Sequence, residues 1–260
     1  MYHEVPAEPP FGYFAVPRDR FVAQLNLLDR LQLAARPLED TGPGQVALTF
    51  DDGHLTHYAQ VFPLLAERGM RATFFVTTDW VGQRGYVTWG QLREMASAGM
   101  SVQSHTASHP FLSELSRADA VRELVMSKQR IEAELGQPCV TVALPGGDAP
   151  RGWGVSEYAD LGFKWVATSR WGSNPAGPAN APALLARRYT VRQGTSDVRL
   201  PSLALARSTA ADLEGLRLLA LNALRTTLGA SRYTRLRGRV LARGSGLASG
   251  DPVLGPSEHS

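Results

Sequence analysis

The sequence predicts a single α/β domain built from parallel strands. Short apolar, β-branched segments alternate with helical patterns that end in glycine, and this alternation is typical of βαβ units with right-handed crossovers. At 260 residues the chain is long enough for one domain of α/β-barrel size. Its composition is that of a globular protein, because 43% of the residues are hydrophobic, 20% are charged and no apolar run is long enough to span a bilayer.

The predicted elements follow one another in a regular order. Amphipathic spacing predicts the helices, and each of the first three ends close to a turn or a glycine. The predicted helices are 21–33, 58–67, 88–98 and 117–135, and the predicted strands are 46–50, 72–77, 101–104, 140–144, 165–168 and 188–191. We expect this alternating part to form one domain over residues 1–206.

Beyond Arg207 the pattern changes. Residues 207–243 have one apolar helical face and eight arginines, which predicts a basic helical extension, and the Gly/Ser/Pro-rich stretch 244–260 predicts a disordered tail. The extension is more typical of a solvated helix face than of a binding site, so no nucleic-acid partner is expected. Peripheral contact with an anionic membrane surface is the alternative.

Two features bear on the compartment. The single cysteine, Cys139, excludes an internal disulfide and a cysteine-based zinc site. The opening residues have neither the basic region nor the apolar region of a secretory signal, so a cytoplasmic location is expected, with membrane association as the variant just described. The sequence does not indicate the oligomeric state.

Two short motifs carry the candidate chemistry. Asp51 and Asp52 come directly after the apolar strand 46–50, and His105 and His109 come directly after strand 101–104. The carboxyl ends of parallel strands are where folds of this class collect their sites. One aspartate and two histidines can hold a divalent metal ion and leave positions open for water and substrate, while the other aspartate is available as a base.

These motifs, Thr-Phe-Asp-Asp-Gly at 49–53 and Ser-His-x-x-x-His-Pro at 104–110, resemble those of the polysaccharide deacetylase family, carbohydrate esterase family 4, also called the nodulation-factor deacetylase homology domain. The opening Met-Tyr-His-Glu-Val is similar to the branch that acts on poly-N-acetylglucosamine and related exopolysaccharides. The resemblance implies a distorted (β/α) barrel with fewer than eight strands, about seven here, followed by the C-terminal helical extension.

The family implies roles for the motif residues. Asp51 matches the catalytic base, and Asp52, His105 and His109 match the metal ligands. The resemblance implies zinc, with cobalt, nickel or iron as alternatives. It also implies an N-acetylated glycan as substrate and acetate as product. His54 and His57 do not match the family pattern, so rim or supporting positions are expected for them.

Four further residues are expected to contact the substrate. Gly146 and Gly147 match the family's third motif, where a backbone N–H faces the oxyanion. Trp171 and Asn174 lie in the late strand–loop region where the family lines its sugar groove.

Two family residues are missing from their usual places. The third motif often begins with an arginine that orients the base, but Ala143 or Leu144 stands there; the fifth motif normally supplies a histidine as general acid, but residues 185–189 contain none. We therefore expect Arg188 to replace the arginine and His3, carried by the N-terminal segment, to act as the acid.

Two other functions fit the same residues. An amidohydrolase of the same fold could act on a small non-sugar amide or imide. A carbohydrate-binding protein of a polysaccharide assembly system could have lost catalysis along with the missing arginine and histidine. Acetate release from a chitooligosaccharide, with and without a chelator, distinguishes the three.

Overall fold

Six parallel strands form the central curled sheet. The computed structural model describes residues 1–42, 44–172, 174 and 183–195, so the expected extension 207–243 and tail 244–260 lie outside the described residues. The strands are β1 Ala34–Arg36, β2 Gln45–Ala47, β3 Thr49–Phe50, β4 Thr73–Val76, β5 Ser101–Ser104, β6 Thr141–Ala143, β7 Trp165–Ala167 and β8 Leu184–Ala186. The central sheet runs β3-β4-β5-β6-β7-β8, and β1 pairs with β2 beside it. The predicted fold class, a distorted (β/α) barrel, is confirmed.

Helices cover the sheet between successive strands, as the alternating pattern predicts. They are α1 Arg18–Arg30, α2 Phe62–Ala66, α3 Trp89–Ser97, α4 Arg117–Leu135 and α5 Val155–Asp160. The bounds of α3 and α4 agree with the predicted helices to within a residue. Among the described residues, no helix is both long enough and apolar enough to cross a membrane.

Four predicted elements differ from the structure. The helix expected over 21–33 lies three residues earlier, at Arg18–Arg30. The strand expected over 46–50 is divided, because β2 pairs with β1 whereas β3 pairs with β4, and the chain changes sheets at Leu48. The helix expected over 58–67 begins as a π-helical turn, His57–Val61, before α2. The last strand lies at Leu184–Ala186, so Arg188 follows it rather than starting it. Apolar periodicity does not specify strand pairing, which explains these differences.

The first two residues bridge the two edges of the central sheet. Tyr2 donates its N–H to Thr49 O at 2.8 Å and accepts at its carbonyl from Asp51 N at 2.9 Å. On the other side, Val191 N donates to Met1 O at 2.8 Å. Since β3 and β8 are the edge strands, this segment closes the barrel at the carboxyl ends of the strands.

Aromatic rings fix the position of that segment. The ring of Tyr2 stacks on Phe50 with centroids 5.2 Å apart, and Phe50 stacks on Phe74 at 4.9 Å. Phe21 of α1 meets both Tyr2 and Phe50 edge-on. These side chains are almost fully buried, and offset or edge-on aromatic pairs add stability beyond the area that they bury. The core therefore holds the strand end that leads into Asp51.

Helix α4 is fixed at both ends. Ser116 caps it by accepting from Asp119 N at 3.1 Å, and Gly136 ends it in the left-handed region. Near its end, Glu132 Oε1 accepts from Lys128 Nζ at 2.6 Å and from Cys139 N at 3.0 Å. Burial alone would raise the pKa of Glu132, but these two hydrogen bonds and the charge of Lys128 hold it below 4.5.

We expect Glu132→Gln to lower the free energy of unfolding by about 1 kcal/mol at pH 7, the low end for a charged hydrogen bond because the carboxylate is partly exposed. A lowered folded-state pKa means that this stabilisation is present above pH 4.5 and is lost as the pH falls through the folded pKa. Urea unfolding between pH 3.5 and 7 measures it. The control Glu67→Gln, at a side chain that is 69% exposed, should change little; an effect of Glu132→Gln that is constant with pH would contradict this assignment.

Candidate active site and metal centre

The sequence-predicted residues meet at the carboxyl end of the central sheet. Asp51 and Asp52 follow β3, His105 follows β5, and Arg188 follows β8. The N-terminal segment brings His3 to the same place, close enough for the charges of Asp52 and Asp51 to act on its ring. Residues from four distant parts of the sequence thus share one site.

Asp52, His105 and His109 form a compact set of possible metal ligands. One ligand atom from each lies within 4.8 Å of the others. Asp52 Oδ1 is 3.2 Å from His105 Nε2 and 3.4 Å from His109 Nε2. This oxygen is buried and has no hydrogen-bond partner among the described residues. A buried carboxylate oxygen that faces two imidazole nitrogens without a hydrogen bond is a donor set that fits a divalent metal ion.

The backbone of the barrel orients the first imidazole. His105 Nδ1 donates to Ala143 O of β6 at 2.9 Å. Because a carbonyl oxygen only accepts, Nδ1 carries the proton and Nε2 faces Asp52 with its lone pair when the ring is neutral. Such a bond fixes both the tautomer and the ring plane of a metal-binding histidine.

The charges of this set are strongly coupled. Burial alone would raise the pKa of Asp52, but its contacts with His105 and His109 hold it well below the ordinary value. Burial alone would lower the pKa of His105, yet the carboxylates of Asp52 and Asp51 outweigh it and the pKa is raised. The carboxylate of Asp52 stabilises the protonated form of His105, so a metal ion that binds here must displace that proton.

Arg188 holds the second carboxylate through two parallel hydrogen bonds. Its Nη1 lies 2.6 Å from Asp51 Oδ1 and its Nη2 lies 2.9 Å from Oδ2. Both side chains are almost completely buried, at 4% and 2% exposed. Burial by itself would raise the pKa of Asp51, but the charge of Arg188, with smaller effects from His105 and His3, outweighs it and lowers the pKa. Asp51 is therefore ionised at neutral pH.

The alternation of buried and exposed side chains continues for two residues beyond β8 and decides which of two adjacent arginines enters the site. Arg187 is exposed, whereas Arg188 points inward, where its Nε donates to Thr168 O at 3.1 Å and its guanidinium lies 5.1 Å from the ring centroid of Phe75. The sequence-based expectation that Arg188 stands beside Asp51 agrees with this geometry.

His3 is held by its backbone. His57 Nε2 donates to the carbonyl of His3, and the ring of Phe14 lies 4.7 Å from the His3 ring. The Nδ1 atom of His3 is buried without a hydrogen-bond partner among the described residues. Burial lowers the pKa of His3, and the charges of Asp52 and Asp51 offset only part of this effect.

His57 is a core residue rather than a rim residue. It is 1% exposed and lies against Phe50 and Phe74. Burial lowers its pKa to about 4, so the ring is neutral and carries its proton on Nε2. His57 lies on the π-helical turn, which the sequence did not predict. His54 instead hydrogen-bonds through Nδ1 with Thr56 Oγ1 at 3.0 Å.

The two glycines after β6 form a tight turn against the next strand. Both have positive φ, at 58° for Gly146 and 67° for Gly147, and a Cβ on Gly147 would lie 2.9 Å from Ser169 N. Only glycine fits there without displacing backbone. The N–H of Gly147 donates to Leu144 O at 2.8 Å, which closes the turn. The oxyanion role of these glycines stays a prediction.

The two predicted groove residues have different surroundings. Trp171 is half-buried and meets Tyr189 edge-on at 5.3 Å. Asn174 is exposed, and its amide makes two hydrogen bonds with the backbone of Arg187, at 2.9 and 2.7 Å. The amide of Asn174 therefore ties its loop to the end of β8, while a substrate contact for either residue stays a prediction.

The sequence is similar to known polysaccharide deacetylases. Residues 39–166 match the family model described as polysaccharide deacetylase. A chitooligosaccharide deacetylase of Sinorhizobium fredii is 31% identical over 141 residues, which are 54% of this chain and 62% of that protein. The chain spans about half the length of the curated relatives that it matches.

Solved structures show the same likeness in three dimensions. The deacetylase PplD of Streptococcus pyogenes, in complex with acetate, has a TM-score of 0.70 and 26% identity, and the match covers 78% of this chain and 96% of that one. IcaB of Ammonifex degensii has a TM-score of 0.66 and 26% identity, with 80% and 95% covered. Residues 39–166 of this chain are therefore a polysaccharide deacetylase domain.

Proposed function

We propose that this chain is a metal-dependent hydrolase that removes N-acetyl groups from an N-acetylhexosamine-containing polysaccharide or its precursor and releases acetate. The observation that carries the proposal is the position of the arginine-paired carboxylate Asp51 directly beside the three possible ligands Asp52, His105 and His109. The names of the relatives support the reaction type, since one is a chitooligosaccharide deacetylase and one deacetylase was solved with acetate.

Asp52, His105 and His109 would hold the metal ion, for which zinc is the first candidate and cobalt, nickel or iron are alternatives. When bound, such an ion supplies Lewis-acid chemistry that acidifies water and polarises a carbonyl group. The protein contributes ligands that are already oriented, because the bond from His105 Nδ1 to Ala143 O keeps Nε2 directed at Asp52.

Asp51 would be the base. Its carboxylate is ionised because Arg188 lowers its pKa against the effect of burial, so it can accept the proton of the attacking water. Arg188 donates one hydrogen bond to each carboxylate oxygen of Asp51. These two bonds fix the plane of the Asp51 carboxylate relative to the three candidate metal ligands. Arg188 is thus a positioning residue for Asp51.

His3 would be the acid. As the water oxygen bonds to the carbonyl carbon, the proton of the water goes to Asp51. The carbon–nitrogen bond then breaks, its electron pair goes to nitrogen, and the nitrogen takes a proton from His3, so that acetic acid and a free amine leave. The acetic acid, which keeps the second proton of the water, ionises to acetate in solvent, and the proton on Asp51 is also released. Because burial lowers the pKa of His3 and only the protonated ring can donate, the contribution of His3 should fall as the pH rises.

The first test is acetate release from an N-acetylglucosamine oligomer. We expect turnover by the wild type, loss of turnover after treatment with a chelator, and recovery when Zn²⁺ or Co²⁺ is added back. Asp52→Asn should abolish both metal binding and turnover, because the variant loses an anionic ligand. Metal binding without acetate release from any N-acetylated glycan would contradict the proposed activity.

Arg188→Ala should reduce kcat by about 10²-fold, since a base that has lost its orientation acts in few bound complexes. The pKa of Asp51 should rise when the guanidinium is removed, so the acidic limb of kcat/KM should move to higher pH. The free energy of unfolding should fall by about 3 kcal/mol, because a buried carboxylate is left unpaired.

The matched control for this variant is Arg187→Ala, the exposed neighbour on the same strand end. It should keep the wild-type pH profile. If the two alanine variants had the same profile and turnover, Arg188 would have no special role toward Asp51.

His3→Ala should lower kcat on the oligomer by about 10²- to 10⁴-fold, the range for loss of a general acid. An acetyl ester with a good leaving group, such as 4-nitrophenyl acetate, needs no proton on departure, so its hydrolysis should be affected far less. Equal losses on the amide and on the ester would show that His3 matters for some reason other than protonation of the leaving group.

A further inference from the structure

The loop between the two histidine ligands has an unusual backbone. Thr106 and His109 both have positive φ, at 68° and 65°. Neither is glycine, and non-glycine residues persist in this region only where the surroundings impose it. The position of His109 relative to His105 therefore depends on contacts from outside the loop.

Side-chain oxygens accept from the backbone N–H groups of residues 106–109. Thr106 N donates to Ser104 Oγ at 3.2 Å, and His109 N donates to Thr106 Oγ1 at 3.0 Å. The two amides between them, of Ala107 and Ser108, both donate to Glu123 Oε2, at 3.0 and 2.8 Å. The other oxygen of Glu123 accepts from Ser108 Oγ at 2.7 Å. One carboxylate thus accepts three of the loop's hydrogen bonds.

Glu123 is itself fixed by its helix. It stands on α4 between the buried residues Ala120 and Leu124. One turn later, Ser127 Oγ shares a hydrogen bond of 2.8 Å with Ser104 Oγ at the end of β5. The hydrogen bond between Ser127 and Ser104 therefore holds the helix to the strand that leads into His105. Glu123 of the same helix binds the loop that carries His109, so the loop is held relative to that strand.

We propose that Glu123 is a positioning residue for the metal centre, which holds the 105–109 loop in the conformation that presents both imidazoles to one ion and so sets the affinity of the site for divalent metal. The inference rests on the metal binding in the proposed function, and it assigns to α4 a role that neither motif indicates. A carboxylate suits the task, because its two oxygens accept from several donors at once.

The test is a Co²⁺ titration of the metal-free full chain, followed by the visible absorption of the bound ion. Glu123→Ala should raise the Kd for Co²⁺ by about 10- to 100-fold, the usual effect of losing a group that orients metal ligands, and should change the absorption spectrum because His109 is displaced. Glu123→Gln keeps an amide oxygen that can accept from both N–H groups and should restore most of the affinity and the wild-type spectrum.

Glu134→Ala is the matched control on the same helix, because Glu134 bonds only Arg93 and Arg130 in the contacts described; its Kd should equal that of the wild type. A folded Glu123→Ala protein, judged by circular dichroism, with wild-type Kd and spectrum would overturn the proposal. Should the alanine variant fail to fold, Glu123→Asp, one methylene shorter, must weaken binding, and unchanged binding would overturn it. Absence of Co²⁺ binding by the wild type would overturn both the proposed function and this inference, whereas equal binding by the wild type and the alanine variant would overturn the role of Glu123 alone.

Discussion

The bidentate ion pair between Arg188 and Asp51 is the contact on which the arrangement of this site depends. It joins the chain just beyond β3 to the chain just beyond β8, which are the two edges of the central sheet. Buried ion pairs add little net stability compared with apolar contacts, but removal of one partner leaves a costly unpaired charge. The pair therefore acts mainly as a constraint, since the barrel must bring its edges together for either charge to be satisfied.

The remaining charges follow from that constraint. Two adjacent carboxylates, Asp51 and Asp52, face different partners: a permanent cation for the first and two titratable imidazoles for the second. Arginine keeps its charge at any working pH, whereas histidine can give up its proton to an incoming metal ion. Asp51 is thereby held by the protein through Arg188, whereas Asp52 remains available to bind a ligand.

Much of this could be predicted from the sequence, because the information is local. The strand end after Phe50 follows from an apolar run, the strand end after Ser104 follows from its place in the alternating pattern, and the motifs beside both contain the candidate ligands. The position of Arg188 beside Asp51 could be inferred only because the arginine that usually begins the family's third motif is missing at Ala143 or Leu144. The parts that depend on how distant segments are aligned could not be predicted: the change of sheet at Leu48, the π-helical turn that buries His57, and the contact of Glu123 with a loop 15 residues away. Periodicity identifies which face of a helix is buried, but it does not say which backbone groups that face will meet.

Closure of the barrel by the first residues also bears on the order in which the protein can assemble. The three candidate metal ligands lie between residues 52 and 109, and the helix that contacts their loop follows soon after. Their contacts therefore need only moderate loops to close. The partner of Asp51 lies 137 residues away, and the hydrogen bond from Met1 to Tyr189 spans 188 residues. Contacts of such long range form late because the loop entropy must be overcome first. A chain emerging from the ribosome would therefore bring Asp52, His105 and His109 together before Asp51 is anchored by Arg188, and the candidate site would be complete only when the last strand has joined the first residues.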